Sequence, residues 1–165
     1  MKGVGMNLRK LAGAVIATAL MVSAGAVTAG PASAVDNIKP FDQQMRILDY
    51  TGAPSVGYTV RDLVPSSDPV PHNGQLYEAS LTVDTFGAQA DPLIHRFNAR
   101  AENSTLYPLV GAAGVGGMLP PGASATGKLY FDAVGPDVPF SVVYNDGMRD
   151  ILAWIPGSPE GGTRP

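Results

Sequence analysis

The sequence predicts an all-β protein, a single antiparallel β-sandwich of about eight strands. Two observations support this prediction. Beyond position 34, apolar residues recur at every second position in short runs, which is typical of strands with one buried and one solvated face. The chain is also rich in turn formers, with 20 glycines and 15 prolines, and helical periodicity is poor. The part of the chain beyond position 34 is long enough to build one hydrophobic core.

Three segments show the alternation most clearly: residues 75–85, 93–100 and 124–134. Their predicted core face comprises Tyr77, Ala79, Leu81, Val83, Leu93, His95, Phe97, Ala99, Leu129, Phe131 and Ala133. Their predicted solvent face comprises Glu78, Ser80, Thr82, Asp84, Ile94, Arg96, Asn98, Arg100, Lys128, Tyr130 and Asp132. Shorter strands are predicted at residues 44–49, 56–63, 105–110, 140–144 and 151–155. Trp154 belongs to a strand that is apolar on both faces, so we predict that it packs in the core.

Residues that favour turns predict where the connections between these strands lie. The sequence Asn145-Asp146-Gly147 predicts a tight hairpin, because Asp and Gly tolerate positive φ. Pro108 cannot donate a ladder hydrogen bond, so its strand is predicted at a sheet edge. Residues 111–122 contain five glycines and two prolines and predict a mobile surface loop. Residues 158–165 have no apolar anchor and predict a disordered tail.

Residues 1–34 have the pattern of a secretory signal peptide. Lys2, Arg9 and Lys10 form a positive start, an apolar run rich in small residues follows, and a small-residue site ends at Ala34. We therefore predict cleavage between Ala34 and Val35, which leaves residues 35–157 as the folded domain. No second apolar stretch approaches the roughly 20 residues that a membrane helix requires, so no membrane span is expected in the mature form.

Charge and cysteine content narrow the function classes. Residues 35–165 carry eight Lys and Arg against fourteen Asp and Glu, and none of the basic residues are adjacent. Nucleic-acid binding needs clustered positive charge, so a nucleic-acid partner is not expected. We expect Arg96, Arg100 and Lys128 to be isolated positive charges on an acidic surface. The absence of cysteine removes disulfides, thiol catalysis and thiolate metal sites.

One segment partly matches a phosphate-binding loop. Residues 122–128 read Gly-Ala-Ser-Ala-Thr-Gly-Lys, which fits seven positions of that motif. The eighth position requires Ser or Thr to hold magnesium and must open a helix, whereas Leu129 begins an alternating strand. A loop entering a strand is therefore the favoured interpretation.

Catalytic and metal-site motifs are also weak. The two histidines, His72 and His95, are far apart in the sequence and lack the spacing of a metal site. No nucleophile elbow is present, although a dispersed catalytic triad needs no local motif. We interpret His95 as a hydrogen-bonded core residue and His72 as an exposed loop residue. No catalytic residue, metal site or cofactor is predicted, and binding residues are unknown. Asn103-Ser104-Thr105 matches the glycosylation sequon, a pattern frequent by chance.

Four motifs in order resemble one known family. They are Val60-Arg-Asp-Leu63, Phe97-Asn-Ala-Arg100, Thr126-Gly-Lys-Leu-Tyr-Phe-Asp132 and Asn145-Asp-Gly-Met-Arg-Asp-Ile-Leu-Ala-Trp154. Over residues 44–156 the chain resembles the mycobacterial immunoprotective extracellular protein family, secreted antigens of the MPT/MPB type. The resemblance implies an immunoglobulin-like antiparallel β-sandwich exported without disulfides, and it supplies no catalytic or binding residue. The chain departs from the family at residues 35–41, 111–122 and 157–165.

These observations favour an exported, non-enzymatic binding or interaction module that the host recognises as an antigen. Its partner would be an unidentified protein or envelope component, and its oligomeric state is not predicted. Two alternatives stay open. One is a secreted hydrolase with a dispersed Ser/His/Asp site, for which His72 or His95 would be the base. The other is a small-molecule carrier, which would require a cavity.

Overall fold

The computed structural model describes residues 37–157 and contains nine strands. They are β1 (Asn37–Pro40), β2 (Met45–Leu48), β3 (Pro54–Pro65), β4 (Gln75–Thr85), β5 (Phe97–Arg100), β6 (Leu106–Ala113), β7 (Ser124–Ala133), β8 (Ser141–Asn145) and β9 (Asp150–Ile155). One turn of 3-10 helix, Ile94–Arg96, precedes β5. The predicted cleavage site between Ala34 and Val35 and the predicted tail at residues 158–165 lie outside the described residues.

Two sheets form the sandwich. Sheet A has the order β1-β9-β8-β5-β6, and sheet B has the order β6-β7-β4-β3-β2. Neighbouring strands are antiparallel, with one exception: β1 runs parallel to β9. The prediction of an all-β, single-domain sandwich is therefore confirmed. No helix among residues 37–157 is long and apolar enough to cross a membrane.

Strand β6 belongs to both sheets. Residues 106–108 pair with β5 of sheet A, and residues 109–113 pair with β7 of sheet B after an irregularity in register at residues 109–111. Each half therefore has a hydrogen-bonding partner on one side. Pro108 lies in the half that pairs with β5 and has no neighbouring strand on its other side. Its missing N–H therefore costs no hydrogen bond between strands on that open side. The predicted edge position of Pro108 is confirmed for this half of the strand.

Aromatic side chains from both sheets meet in the core. Tyr58 of β3 stacks on Tyr144 of β8 with ring centroids 5.4 Å apart, and Phe97 of β5 meets both rings edge-on. Trp154 is fully buried, lies 6.2 Å from Phe97 and donates an indole hydrogen bond of 2.9 Å to the Gln43 carbonyl. The prediction that Trp154 is a core residue is confirmed. The predicted core residues of β4 and β7 are also buried.

The structure corrects three details. Strand β1 was not predicted, because Ile38 and Pro40 give no alternating run and its partner β9 is distant in sequence. Residues 111–113 continue β6, so the loop starts at Gly114. It is also tethered, because Leu119 exchanges two backbone hydrogen bonds, of 2.9 and 3.0 Å, with Ala90. In β7, Tyr130 and Asp132 lie on the predicted outward face but are buried.

A loop over sheet B buries these two residues. This anchored loop, residues 66–74, connects β3 to β4. Its Asn73 and Gly74 backbone N–H groups donate hydrogen bonds of 2.9 and 2.8 Å to Asp132, and Tyr130 donates one of 2.7 Å to Asp68. Alternation alone gives the face of a residue, but a loop from a distant part of the chain decides whether that face meets water.

The anchored loop predicts acid sensitivity. The Asn73 backbone N–H lowers the pKa of Asp132 below its ordinary value of 3.8, with further help from Gly74. The ionised carboxylate therefore stabilises the fold fully above about pH 4, and this contribution is lost as the pH falls through the lower folded pKa. We expect Asp132→Asn to reduce the free energy of unfolding by about 1.5–3 kcal/mol at pH 7, and by less at pH 2.5.

Chemical denaturation from pH 7 to pH 2.5 measures this difference. Asp62→Asn, at an exposed aspartate of β3, is the control and should change stability by less than about 0.5 kcal/mol. If Asp132→Asn cost the same at both pH values, the ionised carboxylate would not be what holds the loop.

The predicted hairpin is present between β8 and β9. Gly147 has φ +100°, and the Asn145 and Asp146 side chains accept hydrogen bonds from turn N–H groups at 2.7 Å. A β-branched residue is strained at this φ. We expect Gly147→Val to cost about 1–3 kcal/mol of unfolding free energy, measured by denaturation. Gly87→Val is the matched control, because Gly87 has open space and no positive φ; equal effects would contradict the strain argument.

Candidate ligand-binding cleft

The two histidines do not form a catalytic site. His72 lies exposed in the anchored loop, and its Nδ1 is 2.7 Å from the Val70 carbonyl oxygen. His95 was predicted in the core, and this is wrong: the residue is exposed. Leu93 adopts the left-handed conformation with φ 48° and the chain turns through the 3-10 helix, so alternation begins only at Phe97. Among residues 37–157, neither ring pairs with a hydroxyl or a carboxylate.

The phosphate-loop match has a different structural role. Gly122 lies in a turn, residues 124–128 are already in β7, and no helix follows. The Lys128 amine, which would face a phosphate, contacts Asp68 and Glu78 at 2.9 Å each. These carboxylates raise the pKa of Lys128. Within residues 37–157, no three His, Asp or Glu side chains are grouped so that they could hold a metal ion.

A large concavity of the described chain lies on the outer face of sheet A. This sheet A cleft has a volume of about 700 Å³, within the usual range for ligand sites. It runs along β5 between β6 and the hairpin that follows β8. Its lining includes Arg96, Asn98, Arg100, Leu106, Pro108 and Asn145. Asn98 and Arg100 share this face because residues two apart on a strand lie on the same side, whereas Arg96 reaches the cleft from the end of the 3-10 helix that precedes β5.

A buried ion pair adjoins the sheet A cleft through Arg100, which lines it. Arg100 donates two hydrogen bonds to Asp150, of 2.5 and 2.6 Å, and a third of 3.1 Å to the Asn98 side chain. Asn145 donates one of 2.7 Å to Asp150. Such a bidentate pair fixes the guanidinium in one orientation. The prediction that Arg100 and Lys128 are isolated positive charges is therefore wrong, since both pair with carboxylates from distant segments.

Arg96 differs from Arg100. Its side chain is half-buried, and its buried Nε has no hydrogen-bond acceptor among residues 37–157. The ion pairs of this part of the chain do not include it. Burial raises the pKa of Tyr144, and the nearby Arg96 charge offsets part of this effect. The Arg149 and Met148 backbone N–H groups lower the pKa of Asp146, and the Arg96 charge lowers it further.

A second, smaller concavity adjoins the same ion pair. It has a volume of about 370 Å³ and is lined by Ile38, Val143 and Ala153 together with Arg100 and Asp150. The outer face of sheet A thus carries two depressions, and Arg100 of the Arg100–Asp150 pair lines both of them. Within β5, the alternation of residues 97–100 indicated this outer face. No pattern in the sequence indicated that Asp150 is buried, because its partner Arg100 is 50 residues away.

Comparison with known proteins identifies the family. Residues 36–154 match the model of a domain of unknown function, DUF1942. The chain belongs to this family. Two DUF1942 relatives are similar over 121 residues at 36% identity: immunogenic protein MPB63 of Mycobacterium bovis and immunogenic protein MPT63 of Mycobacterium tuberculosis. In each case the match covers 68% of this chain and 76% of the relative. The resemblance to the mycobacterial secreted antigens is confirmed.

A solved DUF1942 structure supports the fold. The 1.5 Å crystal structure of MPT63, described as a secreted protein from Mycobacterium tuberculosis, matches with a TM-score of 0.67 and 32% identity. The match covers 72% of this chain and 96% of that chain. The predicted extracellular location is confirmed by this relative. Neither the DUF1942 description nor the names of the relatives mention an enzymatic activity.

Proposed function

We propose that this DUF1942 chain is an exported, non-catalytic binding module that uses the outer face of sheet A for recognition. Its partner would be an envelope or host component, and immune recognition would follow from exposure outside the cell. The immunogenic and secreted relatives support export and antigenicity. The observation that carries the binding role is the sheet A cleft, with its half-buried Arg96 and its fixed Arg100–Asp150 pair.

The geometry favours binding over hydrolysis. A triad needs a nucleophile, a histidine and an orienting carboxylate within hydrogen-bond reach of one another. His72 contacts a backbone carbonyl. His95 is exposed on the rim of the sheet A cleft, and Asp150, which does not line this cleft, is already occupied by Arg100 and Asn145. The polar groups of the cleft are suited to orient a ligand rather than to transfer a proton.

Capture from envelope and host extracts tests the recognition face. The protein purified from culture medium is compared with Leu106→Asp, which places a charge in the cleft, where Leu106 is 54% exposed. Val134→Asp is the matched control, since Val134 is 60% exposed and does not line the cleft. We expect capture of a partner to be lost only with Leu106→Asp. Capture that survives this variant would place recognition elsewhere.

A substrate panel tests the non-catalytic role. Purified protein should show no turnover of esterase, peptidase, glycosidase or phosphatase substrates. Turnover that His72→Ala or His95→Ala abolishes would instead support the secreted hydrolase.

Removal of residues 1–34 is part of the same proposal. The intact mass of the protein from culture medium should correspond to a chain that begins at Val35. A mass that includes residues 1–34 would contradict cleavage after Ala34.

A further inference from the structure

The sheet A cleft contains one arginine, Arg96, that takes part in no ion pair among residues 37–157. A buried guanidinium nitrogen without an acceptor is costly, because it has lost water and gained no partner. Arg96 Nε is in this state within residues 37–157. The nearest carboxylate in the turn, Asp146, accepts hydrogen bonds from the Met148 and Arg149 backbone N–H groups instead. A cost of this kind is typical of a group held ready for a ligand.

The second arginine of the cleft, Arg100, differs from Arg96 because a carboxylate pairs with it. Arg100 is fully engaged by Asp150 and Asn98, so its charge is neutralised. Arg96 therefore brings to the cleft a positive charge that no ion pair of residues 37–157 includes, in a domain that is acidic overall. An anionic oxygen group is the chemical complement, since carboxylate and phosphate match the donors of a guanidinium.

The wall of the cleft is apolar. Along β6, Pro108 lies opposite Asn98 and Leu106 lies opposite Arg100. Leu106 is more than half exposed, and Leu109 completes this side. From the level of Pro108 to that of Leu106 the strand advances about 7 Å, so the apolar wall extends away from Arg96. A ligand that uses both features needs an apolar body attached to its anionic group.

We propose that the sheet A cleft binds a small amphiphile, with its anionic oxygen headgroup on Arg96 and its apolar chain along Leu106, Pro108 and Leu109. This inference rests on the proposed binding function and specifies the ligand class. Arg96→Gln removes the buried Nε donor that has no hydrogen-bond acceptor among residues 37–157. The variant should therefore unfold at a midpoint no lower than that of the unsubstituted protein. Loss of stability would instead indicate a structural role for Arg96.

Calorimetric titration of the protein from culture medium with defined probes tests the proposal. The probes are decanoate, decyl phosphate, the neutral decanol and the chainless acetate, each below its micellar concentration. Decanoate or decyl phosphate should bind more tightly than decanol and acetate, and the tighter of the two identifies the headgroup. Arg96→Gln should weaken this binding at least about tenfold, the effect of losing a charge-assisted hydrogen bond. The matched control is Arg61→Gln, at an exposed arginine outside the cleft, and it should bind as before.

Leu106→Gln provides an independent variant at an exposed position and should weaken decanoate binding severalfold. The proposal is overturned if neither decanoate nor decyl phosphate binds, if Arg96→Gln binds them unchanged, or if Leu106→Gln has no effect. It is also overturned if only an octaglutamate peptide binds in an Arg96-dependent manner, which would indicate an acidic protein segment. Failure of all amphiphiles while Leu106→Asp still abolishes partner capture would refute the ligand class but not the binding role.

Discussion

Replacing Asp150 with alanine should lower the free energy of unfolding by about 3–5 kcal/mol, the usual cost of breaking a buried ion pair. Asp150 is buried and accepts hydrogen bonds from Arg100 and Asn145. Its removal leaves the Arg100 guanidinium without a counter-charge beneath the cleft. Urea denaturation at pH 7, followed by Trp154 fluorescence, measures the change.

A surface pair of the same chemistry is the matched control. Arg61 and Asp42 are 2.9 Å apart with both side chains at least half exposed, so Arg61→Ala should cost at most about 1 kcal/mol. Replacing both partners, Arg100→Met with Asp150→Leu, should restore much of the stability, because no buried charge is then left unpaired. Similar effects of Asp150→Ala and Arg61→Ala would show that the Arg100–Asp150 pair is not desolvated.

Trp154→Ala should cost about 3–5 kcal/mol, the range for removing a large buried aromatic side chain. The substitution removes the packing on Phe97 and the hydrogen bond to the Gln43 carbonyl. Thermal unfolding followed by circular dichroism measures the effect without the tryptophan signal. Trp154→Phe should cost less, because it keeps most of the apolar contact.

Tyr50→Ala is the control for the aromatic substitution. Tyr50 is fully exposed in the turn between β2 and β3, so its removal should change stability by less than about 0.5 kcal/mol. If Trp154→Ala were as mild as Tyr50→Ala, the two sheets would not depend on this residue for their packing.

Local pattern was sufficient to predict most of the strands. In β4 the predicted core residues are all buried. This strand lies in the middle of sheet B, so the same face of the strand meets the core along its whole length. The Asn145-Asp146-Gly147 turn was predictable for the same reason, since its chemistry is contained in three adjacent residues. Where the backbone itself departs from extended geometry, as at Leu93, alternation failed and His95 was placed on the wrong face.

The polar centre of the cleft depends on contacts that no local pattern contains. Arg100 and Asp150 come from β5 and β9, and Asp132 is buried by a loop residue 59 positions away. Sequence alternation predicted correctly that Asn98 and Arg100 point outward. The same prediction assumed that every outward-facing side chain is exposed to solvent. The outer face of a sheet can be buried by its own long side chains and loops, and this depends on tertiary structure alone.

The parallel pairing of β1 with β9 has a consequence for the order of folding during export. Asn37 pairs with Leu152, and Gln43 receives the indole hydrogen bond of a residue 111 positions later. The first strand pairs with the last, so sheet A cannot be completed until the chain as far as Ile155 is available to pair. Contacts of such long sequence separation slow folding. In an exported chain with this pairing, sheet A therefore reaches its full width only after the last strand has become available.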